Sequence, residues 1–122
     1  MSNERLQLPP TPVSDTSEDY QAFALPAVYG EYLPMLDLRL RTGERIGFSY
    51  AWLTAVTLHT DHIELSFTTG TLVTIRGRNL SPVYGALVNH QAVFIHEADT
   101  PTALLVSSTA PLVDGIEVKL PA

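Results

Sequence analysis

A chain of 122 residues with a formal charge of −6 and no cysteine is long enough for one domain, and it excludes a disulfide framework, a thiolate metal site and a cysteine nucleophile together. Its 45% apolar content is that of an ordinary globular protein with a real core. The acidity belongs mainly to the two ends. Between Leu36 and His90 five arginines (Arg39, Arg41, Arg45, Arg76 and Arg78) face four acids, which leaves that segment at +1. A nucleic-acid partner is therefore disfavoured by the molecule's net charge, while a local arginine patch is not.

The opening MSNERLQLPPTPVSDTSEDY lacks the apolar core of a secretory signal, and no uninterrupted apolar run of about 18 residues occurs. A cytoplasmic protein without a membrane partner is expected. Residues 1–19, with Pro9, Pro10 and Pro12 among Ser, Thr, Asp and Glu, have too little apolar surface to offset their ordering entropy, and read as a disordered leader. Residues 20–35 read as an irregular arm in which Tyr20, Phe23, Tyr29 and Tyr32 dock on a single β-rich domain spanning 36–122.

That domain begins with Leu36, Leu38 and Leu40 alternating with Asp37, Arg39 and Arg41, the period-2 signature of a half-buried strand. Thr42-Gly43-Glu44 turns the chain. Pairing Leu40 with Ile46, Leu38 with Phe48 and Leu36 with Tyr50 keeps the apolar side chains on one face. Trp52 then reads as a plug at one end of the core. In AVTLHTDHIELSF a two-residue turn at Thr60-Asp61 pairs Leu58 with Ile63 and Val56 with Leu65. After the turn at Thr68-Thr69-Gly70, Val73 and Ile75 continue the core face, and Leu72, on the opposite parity, predicts a bulge.

Gly77 reads as a break that bends strand into helix. Leu80, Val83, Tyr84, Leu87 and Val88 form an apolar stripe at the helical period, with Ser81 or Asn79 as N-cap and Pro82 in the first turn. AVFIHE returns as a strand, and residues 102–108 and 115–120 read as two more, with Pro111 and Asp114-Gly115 between them. The expected class is mainly β (α+β): a small antiparallel β-barrel, or a strongly bent meander sheet, capped by one short helix.

Two clusters bear chemistry. Arg76 and Arg78 around Gly77, followed by Asn79 at a helix start, would suit an anion; the plainer reading has the arginines solvated or paired with Asp37 and Glu64. His59 and His62 flank the HTDH turn on the outward face, close enough to share a metal, with an oxygen from Asp61 and further ligands from His90, His96, Glu97 or Asp99 only if the fold brings them there; the plainer reading is two exposed histidines in a polar turn. Arg41, Arg45 and Glu44 read as a solvated loop tip. The nucleophile elbow, the zinc-protease helix motif and the P-loop and dinucleotide fingerprints do not occur.

The run VTIRGRNL resembles part of the second signature of Sm and Sm-like proteins, through Ile75, Arg76, Gly77, Asn79 and Leu80. That resemblance implies a small ring-forming barrel binding single-stranded RNA through Arg76, Arg78 and Asn79. The sequence departs from the family at Ala51 and Ala55, where the first signature carries Asp and Asn, and in the helix that follows the motif. The 36–97 layout is also similar to small bacterial proteins to which no activity is attached. The expectation is a non-catalytic binding or assembly module without a cofactor, self-associating or meeting another protein through edge strands, the apolar 102–120 stretch included. A single-stranded nucleic-acid binder and a metalloprotein or enzyme built on His59 and His62 are the alternatives.

Overall fold

The computed structural model describes residues 20–28 and 30–121, so the expected leader and the docking of Tyr29 lie outside the described residues. In chain order the elements are β1 (Met35–Arg39), β2 (Arg45–Ser49), a 3-10 turn (Tyr50–Trp52), β3 (Leu53–Leu58), β4 (His62–Phe67), β5 (Leu72–Arg78), α1 (Ser81–Val88), β6 (Phe94–His96), α2 (Thr100–Leu105) and β7 (Leu112–Lys119). The strands form two sheets, ordered β2-β1-β6 and β3-β4-β5-β7. The protein is mainly β, with two α-helices rather than one, and no closed barrel is found among the described residues. Nor is it a pure meander, because β6 returns to lie parallel to β1. Among the described residues no helix is long and apolar enough to cross a membrane.

The first hairpin keeps the expected parity but shifts register by two residues: Leu36 pairs with Phe48 and Leu38 with Ile46. Turn geometry decides this. The Leu40 amide donates to Glu44 O at 2.8 Å and the Gly43 amide to Leu40 O at 2.9 Å, so the loop closes around Arg41-Thr42-Gly43. Gly43, at φ 96°, takes the left-handed position that such three-residue loops require. The shift releases Tyr50 from the strand. Ser49 Oγ accepts from the Ala51 amide and starts the 3-10 turn that buries Tyr50, whose hydroxyl donates to Ala92 O at 2.8 Å. Burial raises the Tyr50 pKa. Tyr50 is therefore the plug, and Trp52, at 55% exposure, is not.

The second hairpin pairs Leu58 with Ile63 and Val56 with Leu65, as expected. Across β4 and β5 the ladder is regular, and Leu72 points outward opposite Ser66 without a bulge. The ladder is irregular at two other places, between Leu53 and Ala55 of β3 against β4 and between Arg76 and Gly77 of β5 against β7. Leu36 and Leu38 from one sheet meet Ile63, Leu65, Val73 and Ile75 from the other, with Phe48 stacked on Phe67 at 4.8 Å between ring centres. Each fully buried Leu or Ile contributes roughly 1.5–3 kcal/mol to this core.

Helix α1 adds Val83, Ala86 and Leu87, with Leu80 buried just before it, while Val88 stays outside. Its N-cap is Leu80, which offers no side-chain bond, so neither Ser81 nor Asn79 caps it. At its other end the Gln91 amide donates to Ala86 O and the His90 amide to Leu87 O. This is a Schellman closure, with His90 at φ 57° where glycine is usual. The expected strand at 102–108 is helix α2 instead. Asp99 accepts from the Thr102 amide at 2.8 Å and Pro101 stands in the first turn, a start signal that outweighs a short apolar run of ambiguous period. Asp114 and Gly115 do not break the chain; both lie inside β7.

Candidate functional site

The corner at Arg76 to Asn79 is a structural joint. Gly77 lies within β5, where its amide donates to Asp61 O at 3.1 Å, and a Cβ there would stand 1.9 Å from Leu112 O. It is needed for close approach to β7 and not for a bend; the bend comes at Asn79, with φ 54°. Asn79 Nδ2 donates to Ser108 O at 2.8 Å and Ala110 O at 3.0 Å, and Arg78 Nη2 donates to Val106 O at 3.0 Å. Both side chains clamp the loop between α2 and β7. Arg76 is exposed and lies over Gly115. The expected partners of these arginines are engaged elsewhere: Asp37 by Arg39 and Arg45, Glu64 by His59.

The second cluster does converge. The His59 amide donates to His62 O at 2.8 Å, which makes the two histidines the pair that flanks the turn. Their rings stack at 4.3 Å, tilted by 12°. His59 Nε2 lies 3.2 Å from Glu64 Oε1, and His62 Nδ1 lies 2.7 Å from Asp61 Oδ1. The bond from His62 holds the Asp61 carboxyl below its ordinary range, with Arg76 assisting. Glu64, two residues along β4 on the same face, is the member that HTDH alone did not supply. Alternation in HIELSF, which puts His62 and Glu64 on one side, was the available signal.

His96, Glu97 and Asp99 do not join the HTDH histidines but gather with Tyr20 and Arg41 in a third constellation, a grouping that escaped the sequence. An open cleft of about 410 Å³ is lined by Tyr20, Arg41, His96, Glu97, Asp99 and Thr102 among others. Glu97, only 7% exposed, accepts from the Arg41 amide at 2.9 Å on Oε1, and on Oε2 from Arg41 Nη2 at 3.0 Å and the Ile116 amide at 2.9 Å. Burial alone would raise its pKa, but these donors outweigh it and hold the carboxyl below its usual value. Glu97 therefore pins the first hairpin to β7, and Arg41, although exposed as expected of a loop tip, is tied to Glu97. Tyr20 closes the cleft's floor, its hydroxyl donating to His96 O at 2.7 Å and accepting from the Val113 amide at 2.9 Å; desolvation pushes its pKa up to about 12. Burial, then the nearby Arg39, lowers that of His96.

No protein-family model matches this chain, and no curated protein or solved structure matches it either.

Proposed function

We propose that the chain is a non-catalytic assembly module that pairs with a second copy of itself through strand β3. The observation carrying this reading is an asymmetry among the sheet edges. The arm runs along β6: the Val93 amide donates to Ala24 O, the His96 amide to Ala22 O, and Phe23 bridges Ile95. Ala98, Glu97 and Tyr20 engage the outer side of β7, which also carries Asp114, Glu117 and Lys119. β2 opens on Arg45, paired with Asp37. β3 ends the larger sheet with LTAVTL, which has no charge and no proline.

Four of its six residues (Thr54, Ala55, Thr57 and Leu58) are exposed, and exposed Trp52 stands at its head. Native edges are normally blunted by charge, proline, a bulge or cover. β3 has a bulge at its start, between Leu53 and Ala55, and α1 packs beside it. From Ala55 to Leu58, however, it runs in regular register without charge or proline, a stretch of high β propensity that can template another strand. A two-fold axis beside β3 would give a closed, isologous pair with a continuous sheet.

The test is light scattering coupled to size exclusion on the full chain. A mass near twice 13.4 kDa is expected, and Ala55→Lys with Thr57→Lys, both on the outward face, should return the monomer by setting like charges against each other. A wild-type chain that stays monomeric up to about 100 µM removes the reading.

A further inference from the structure

We infer that the turn between β3 and β4 is a binding site for a divalent transition-metal ion, with His59, His62 and Glu64 as ligands and Asp61 as the residue that orients His62. The inference is independent of the pairing of β3. One ligating atom from each of the three residues lies within 4.8 Å of the others. The 3.2 Å between His59 Nε2 and Glu64 Oε1 is already near the roughly 3.4 Å that separates two ligands of a tetrahedral ion with bonds of about 2.0–2.1 Å. Small side-chain rotations about an ordered backbone would bring in the third atom, because the hairpin register holds both histidines at the turn.

The bond between His62 Nδ1 and Asp61 is what separates this cluster from two histidines in a polar turn. At 2.7 Å it fixes the proton on Nδ1 and leaves the Nε2 lone pair outward, the device by which metal-ligating histidines are oriented. Charge also favours a cation. Asp61 and Glu64 outnumber Arg76, the neighbour of His62 on β5, so the surroundings are net negative. Two imidazoles and one carboxylate suit zinc and its neighbours over calcium or magnesium, which take oxygen ligands. All three ligands reach solvent, so an ion can enter, and at least one coordination position stays open to water.

The experiment is calorimetric titration of the tag-free full chain, stripped with chelator, with Zn²⁺ alone and then Ca²⁺ alone. One zinc ion per chain is expected, with no saturable calcium heat. His59→Gln and His62→Gln should each weaken zinc binding at least about tenfold, and Asp61→Asn about tenfold with the stoichiometry kept. Thermal midpoints of the metal-free variants, measured alongside, should match the wild type because these side chains reach solvent; if a histidine variant unfolds, Glu64→Gln replaces it. No saturable zinc binding up to about 1 mM overturns the assignment. So does zinc affinity unchanged in folded variants of the ligands, which would put the ion elsewhere.

Discussion

Glu97→Ala is expected to destabilise the fold by about 3 kcal/mol, read as a fall in the urea midpoint at neutral pH. The loss is large because the carboxylate serves three donors on two segments: the amide and guanidinium of Arg41 and the amide of Ile116. Removing it orphans the amides, and Arg41 loses its main partner. Glu97→Gln should recover only part of the stability, because its NH₂ group must face a donor where an oxygen accepted.

The same carboxylate sets a pH signature. Its folded-state pKa lies below the ordinary 4.5, so its contribution is fully present above the unfolded value and is lost as pH falls through the folded one. Asp37, held down by Arg45 and Arg39 against the effect of burial, acts in the same direction. The urea midpoint should therefore drop on acidification below about pH 4.5, and less steeply in Glu97→Ala than in the wild type. Parallel acid profiles for the two proteins would contradict this role.

Gly77→Ala should cost at least about 3 kcal/mol and lower the yield of folded protein. The added methyl would meet Leu112 O at 1.9 Å, Leu112 C at 2.9 Å and Val113 Cα at 3.1 Å. These are backbone atoms of the paired strand, so no side-chain rotation relieves the clash and the β5–β7 ladder must part. Gly85→Ala is the internal control. It lies in α1 with nothing within 4 Å of its added Cβ, and should stabilise by about 0.5–1 kcal/mol through helix propensity. Thermal melts of both variants check the pair of expectations; a tolerated alanine at Gly77 would mean that the two strands lie further apart.

Local alternation by itself determined which face of each strand is buried: Leu36, Leu38, Ile63, Leu65, Val73 and Ile75 are all inside, and the HTDH hairpin has the expected register. It also placed His59 and His62 side by side, because a two-residue turn leaves no other arrangement of its flanks. Parity has a period of two and cannot see a slip of two residues, so the first hairpin waited on the loop at Gly43 and the plug passed from Trp52 to Tyr50. The apolar TALL run carries no decisive period, and the Asp99 cap with Pro101 in the first turn starts it as a helix. The roles of Gly77, Arg78, Asn79 and Glu97 were decided by tertiary structure alone. Each meets a partner far along the chain, at Leu112, Val106, Ser108 and Arg41, and one-dimensional patterning holds no information about which distant backbone will pass within hydrogen-bonding or van der Waals reach.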